Sequence, residues 1–379
     1  MRPEAAHAER MLEIRDNARS WRRTGFINDA VLSSILGRYS DDRARLGPAF
    51  RALAFILSGV AIFALIGLSA LVFRLDGPAL MSIWAILLVA LTEYQIGPLR
   101  RSSAGAESAT GLIAALCLLI AIEEAAAGWS VDRVLLSATL VCLGAAYRWG
   151  DAVFFVFGSL ALYGLLGRWD HGRTLWILAA SVLIPAGTRA MRAGALPPSH
   201  RRGAGLVAGI SALALYAAIH RWSWDHAWIE SLGSAPVDSV GFRTFSTLAT
   251  ALLPIVFLFA GWTRREPGVL AAGLLMTASS LATIRLYYSV MPLSIALALA
   301  GTAAIALAVG LRRYLRSGPL GERDGFTADP LFDDDNRTGA VRAALAVASF
   351  TPSPSPAPAD AGFTGRGGRF GGGGSSGTF

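Results

Sequence analysis

Polar and apolar positions in this chain alternate on the scale of whole helices. Between Phe50 and Leu311 ten hydrophobic runs follow one another, at about 50–73, 79–98, 107–127, 132–147, 151–167, 174–191, 204–220, 240–262, 268–286 and 291–311. A bilayer core about 30 Å thick takes roughly 20 apolar residues as a helix, and a helix satisfies its own backbone in lipid. The pattern therefore predicts an all-α fold, a polytopic transmembrane helix bundle of about ten spans. The fourth and fifth runs are short, and Arg148, Trp149 and Gly150 alone divide them. They form either a tight helical hairpin or a partly re-entrant segment.

The flanks divide the chain into three parts: 1–49, a transmembrane domain at 50–316, and a tail at 317–379. In the first part Met11, Ile14, Ala18 and Trp21 recur at helical spacing, predicting an amphipathic helix that ends near Thr24 and Gly25. Asn28 is placed to cap a second helix with Val31, Leu32, Ile35, Leu36 and Tyr39 on its apolar face. This cytoplasmic helical hairpin is expected near the membrane surface. In the tail, only Ala340–Ala348 approaches a helical pattern. The Pro/Ser stretch Thr351–Pro358 and the glycine-rich Gly365–Gly377 bury too little surface to order themselves, so disorder is expected there.

Composition changes the picture mainly by naming the solvent. The chain has 379 residues, 54% hydrophobic and 16% charged, where a soluble domain carries about 25% charged residues. A net charge of +8 would suggest nucleic acid in a soluble protein. Here the basic residues, all Arg, gather at helix ends, where they set topology and meet anionic lipid head groups. Nucleic acid is therefore not an expected partner. With the N-terminus in the cytoplasm, that side collects Arg100, Arg101, Arg148, Arg189, Arg192, Arg201, Arg202, Arg264, Arg265, Arg312, Arg313 and Arg316. Arg74, Arg133, Arg168, Arg173, Arg221, Arg243 and Arg285 fall opposite. The asymmetry places both termini inside. No secretory signal stands at the N-terminus, and Cys117 and Cys142 read as small apolar packing residues within spans.

Candidate chemistry is sparse. There is no phosphate-binding G-x-x-x-x-G-K-[ST] loop and no H-E-x-x-H motif. The one G-x-S-x-G, Gly373 to Gly377, lacks the strand and helix that make a nucleophile elbow. Asp333, Asp334 and Asp335 lack the alternating spacing of a calcium loop. No metal and no cofactor is expected. Ionisable groups at membrane depth are the better candidates, because burying charge there is costly. Glu93, Arg243 and Arg285 qualify, and Arg148 and Asp151 flank the tight turn. The outer side holds a second group: His171, His220, Asp225, His226 and Glu230, the last two on one face if the segment is helical. Trp222, Trp224 and Trp228 in the same stretch mark it as an interfacial belt. Ala296, Ala300, Ala304 and Ala308, with Gly205 and Gly209, form small-residue ridges for close helix packing. Pro185 and Pro254 fall within spans.

Two stretches carry a resemblance. Ser20 to Asn28 (SWRRTGFIN), continuing to Leu36-Gly-Arg-Tyr39, resembles the cytoplasmic helical entry of bacterial multi-pass membrane proteins of unknown function. Arg285 to Ser294, with Tyr287 and Tyr288 and with Gly301 beyond, resembles the Tyr-Tyr motif before the last span of the same group. Members often carry Phe before the Tyr pair and a Lys-Ser pair in the next helix; here Leu286 stands in the first place and the Lys is missing. The resemblance implies a bacterial inner-membrane protein and supplies no substrate. The expected function is non-enzymatic: a carrier of a small solute or lipid, or a membrane scaffold. Its expected partners are membrane lipids, that solute, and a protein partner at the cytoplasmic termini. The alternative is a membrane-embedded enzyme acting on a lipid-linked or periplasmic substrate through the outer His, Asp and Glu residues.

Overall fold

Each hydrophobic run is a helix. The computed structural model describes residues 3–23, 25–39, 48–74, 77–99, 105–126, 129–225, 240–288, 292–318, 322–323 and 326–327. All described elements belong to one compact unit, Met1–Pro330. The expectations for the rest of the tail fall outside the described residues. The N-terminal segment forms α1 (Pro3–Arg23) and α2 (Asp29–Arg38). Then come α3 (Pro48–Phe73), α4 (Gly77–Ile96), α5 (Ala106–Ala125), α6 (Val131–Trp149) and α7 (Ala152–Gly167). The second half holds α8 (Gly172–Arg192), α9 (Pro198–Ile219), the one-turn α10 (Arg221–Asp225), α11 (Val240–Arg264), α12 (Pro267–Tyr288) and α13 (Leu293–Arg316). Two short antiparallel strands, β1 (Glu322–Arg323) and β2 (Phe326–Thr327), follow.

The chain is therefore all-α apart from that two-residue ladder. Seven of the described helices are long and apolar enough to cross a membrane: α3, α4, α5, α8, α9, α11 and α12. This is a membrane protein. α7 is apolar but shorter. The fourth and fifth runs form a tight hairpin, because Arg148 and Trp149 complete α6 and only Gly150 and Asp151 connect it to α7. Gly150 takes the left-handed conformation (φ 73°), and a Cβ there would lie 2.6 Å from Ser199 Oγ, so both the turn and the approach of α9 require glycine.

Neighbours in sequence pack as antiparallel pairs: α4 with α5, α6 with α7, α8 with α9, and α11 with α12. α5 also meets α3 and α6, while α9 meets α7 and α12, so α5 and α9 are the two central posts. The first core joins Ile62 and Ile66 of α3, Leu88 of α4, and Ile113, Ala114 and Cys117 of α5. A second joins Ala115 to Cys142, Ala146 and Phe154. The third joins Ala208, Ala212 and Tyr216 of α9 to Phe257, Val269, Ala272 and Met276. Both cysteines are buried in these cores. Much of α3 faces outward with Leu57, Val60, Phe63 and Leu68, as a lipid-facing helix should.

Lipid supplies no hydrophobic drive between helices, so contact depends on close approach. The Gly205 and Gly209 ridge provides it. A Cβ at Gly209 would lie 2.6 Å from the Gly268 carbonyl oxygen of α12, and one at Gly268 would overlap the Gly205 carbonyl. Gly187 of α8 abuts the Ala204 carbonyl on the same post, at 2.6 Å from a Cβ. Pro185 and Pro254 sit inside α8 and α11, which both continue through them. The main described contacts of α13 are with β1 and β2.

At the N-terminus, Asn28 caps α2 as its sequence position suggests, accepting from Val31 N–H at 2.9 Å. Arg22 and Asp29 join the two helices at 2.5 Å, and Arg15 donates to the Tyr39 carbonyl at 2.8 Å. The α2 face predicted as apolar carries no buried residue, whereas Ala18 of α1 is fully buried.

Replacing Gly268 by Val should destabilise the protein by about 1–3 kcal/mol through overpacking. Gly301 of α13 has open space around its missing side chain, so Gly301→Ala is expected to be neutral or mildly stabilising. Unfolding of both variants in detergent micelles checks the pair. Equal effects would place the tight crossing elsewhere.

Candidate functional site

The end of the bundle that carries α1 is polar and tightly cross-linked. α3, α5, α7 and α9 all start there, so several helix N-termini, each partly positive, meet in one region. Carboxylates answer them. Asp151 caps α7, accepting from Val153 N–H at 3.1 Å, and also accepts the Ser108 hydroxyl of α5. Glu107 stands in the first turn of α5 and is only 6% exposed. Glu9 reaches across from α1 to accept from Ser199 N–H at 3.0 Å, capping α9 from another helix.

Ion pairs close the remaining joints of this face. Glu13 of α1 meets Arg201 of α9 at 2.5 Å, and Arg10 donates to the Ala195 carbonyl at 3.1 Å. Glu266, 3% exposed in the α11–α12 turn, takes Arg192 of α8 at 2.9 Å. Glu93 takes both arms of Arg148, at 2.7 and 3.0 Å, together with the Trp149 indole N–H at 2.9 Å. The sequence candidate Glu93 thus fastens the end of α4 to the end of α6. His200 adds an Nε2 contact to the Tyr147 carbonyl at 3.1 Å.

Beneath α1 these groups enclose a cavity of about 170 Å³. α1 contributes Ala5, Glu9, Leu12 and Glu13; the floor and walls include Arg51, Thr92, Ile96, Glu107, Ser108, Trp149, Asp151, Phe154, Ser199 and Arg202. Thr92 spends its hydroxyl on the Leu88 carbonyl at 2.8 Å. Acidic and basic groups therefore share one recess with an aromatic wall. A cavity of about 150 Å³ holds a molecule the size of benzene, so this one admits a small solute.

The opposite end behaves differently. His220, 4% exposed at the end of α9, contacts Thr283 Oγ1 at 3.0 Å and stacks obliquely on Tyr216, with ring centroids 4.7 Å apart. Arg173 of α8 is buried, donating to the Ser223 carbonyl at 2.6 Å and to the Ala218 carbonyl at 3.4 Å. It closes the C-terminal end of α9, where exposed carbonyls favour a cation. Arg221 donates to Thr247 Oγ1 at 2.8 Å and lies over the Tyr287 ring, 4.8 Å from its centroid. Arg243 is exposed at the start of α11, and Arg285 is half-buried with its Nε lacking a hydrogen-bond partner. His171 is exposed before α8, whereas His220 is buried. His226 and Glu230 lie outside the described residues, as do the side chains of Asp225 and Tyr288. No group of His, Cys, Asp and Glu suited to a metal occurs among the described residues.

Sequence reasoning did not single out Glu107, Glu123, Glu266 and Arg173 as candidates, yet the fold buries all four; of its own choices His220 is buried to the same degree. The available signal was the interruption of the apolar run 107–127 by Glu107 at one end and by Glu123 and Glu124 at the other. Compared with protein-family models, curated proteins and solved structures, the chain matches none.

A double-mutant cycle on Glu93→Gln and Arg148→Met should give a coupling energy of about 1 kcal/mol, modest because Arg148 is half exposed. Micellar unfolding measures it. Strict additivity would remove Glu93 as a joint between α4 and α6.

Proposed function

We propose that this protein is a non-enzymatic carrier that binds a small polar solute in the recess under α1. The cavity carries this reading, since it sets carboxylates and two arginines, Arg51 and Arg202, around a space of about 170 Å³ at a helix-lined membrane end. Ligand sites are concave, with an apolar wall and a few convergent polar groups, and this recess fits that description. Acid–base catalysis at the far end is the weaker reading, because His220 is buried against Tyr216 while His171 is exposed.

Arginine asymmetry and the resemblance to bacterial multi-pass proteins favour the bacterial inner membrane, with both termini and the α1 recess on the cytoplasmic side. The recess then loads from or releases to the cytoplasm, and α1 lies across its mouth.

A panel of small amines, organic acids and amino acids, screened by thermal shift on the purified protein, should yield one class that binds. Glu107→Gln or Arg202→Met should weaken it about tenfold or more, the scale of one lost charge-assisted hydrogen bond. Binding that survives both changes would place the solute elsewhere, and no binder in the panel would favour a scaffold. Reporter fusions after Ser102, Leu196 and Leu320 should read as cytoplasmic, and those after Gly128 and Leu232 as periplasmic. An exported C-terminus overturns the orientation.

A further inference from the structure

The far end of α5 holds a carboxylate that the recess does not use. Glu123 is 0% exposed, two residues before the helix ends at Ala125. Its Oε2 accepts from Arg133 Nε of α6 at 3.1 Å, while its Oε1 is buried without any hydrogen-bond partner. A buried carboxylate oxygen with no donor is costly, and in a membrane helix such a group marks a functional position.

From this geometry we propose that Glu123 is a proton-binding site open to exchange at the far membrane face. Uptake converts the carboxylate to the neutral acid by a bond between Oε1 and the incoming proton, while Oε2 keeps its hydrogen bond from Arg133. A metal ion is the poorer occupant. It needs several oxygen ligands, and no group of three or more metal-binding side chains occurs among the described residues. A proton needs only the one oxygen that lacks a partner.

Charged groups reach this end of α5 from several elements. From α6 comes Arg133, whose side chain reaches Glu123 Oε2. Asp132, one residue earlier, is taken by Arg168 at 2.9 Å. Glu124 turns toward the start of α4, where a Cβ on Gly77 would sit 2.8 Å from its Oε2, and that oxygen too is buried without a partner. From α3, Arg74 is exposed at the helix end, and from the turn after α7, Asp170 and His171 are exposed.

The test is labelling of the full-length protein with a hydrophobic carbodiimide, which reacts with protonated carboxyls, followed by mass spectrometry. Glu123 should take the label increasingly as the medium is acidified, with sodium or potassium making no difference. Arg133→Met, which removes the hydrogen-bond partner of Oε2, should raise labelling near neutral pH by about tenfold or more. In infrared difference spectra between two pH values, Glu123→Asp should move the protonated-carboxyl band and Glu123→Gln should abolish it. A carboxylate that serves only as an interhelical ion pair would stay unlabelled at every pH and show no band, which overturns the proposal. Protection by sodium at constant pH would also overturn it, by making the ligand a metal ion. Neither readout involves the recess, so failure here leaves the solute reading standing, and the reverse holds too.

Discussion

Charge brought to the ends of helices that lie in lipid must be answered by other protein groups, and this one constraint organises the molecule. Water answers helix ends in a soluble bundle. At the α1 end of this protein, the α9 start takes its cap from a neighbouring helix, and other helix ends are tied together by side-chain bonds. Glu9 caps α9 from α1, Asp151 joins the α5 and α7 starts, and Glu93 binds the end of α6 to α4. These bonds are individually modest where they are exposed. Their joint effect is to fix which helix ends lie together, and so to define a recess that no single helix could create.

The same constraint explains why the spans were legible and the site was not. Runs of apolar residues report burial in lipid or protein directly, so all ten helices could be placed from the sequence, along with Asn28 as a cap and, as one of two readings, a tight hairpin at Gly150. Partners cannot be read that way. Glu93 could be singled out as a charge near a span end, but Arg148 lies 55 residues away along the chain. Likewise Glu266 meets Arg192 across 74 residues, and Glu9 meets Ser199 across 190. Periodicity carries no information about such pairs.

The glycine ridge was legible for a related reason and with a related limit. Spacing of four announces that some backbone approaches, but not which one. Gly205 and Gly209 turn out to receive Gly268 of α12, while Gly187 of α8 meets Ala204 on the same helix. α9 is therefore pinned on two sides by backbone contact. Overlap with carbonyl oxygens leaves little room for sliding, since packed backbones shift between discrete arrangements more readily than they deform. Any motion that exposes the recess is then cheaper at α1, held by exposed or half-buried polar bonds, than at α9.

α5 is the post that reaches both sites. Glu107 and Glu123 are sixteen residues apart, about 24 Å along a helix, and opposite ends of the same apolar run are where they fall. Between them the buried positions are Ala109, Thr110, Gly111, Ile113, Ala114, Ala115, Cys117 and Ala121. None of these can relay a proton over that length, because Thr110 already donates to the Ala106 carbonyl at 2.6 Å and the rest are apolar. A proton at the far end and a solute at the near end would therefore not meet through a chain of hydrogen bonds. Coupling between them requires α5 to move as a body against α3, α4 and α6, its closest neighbours.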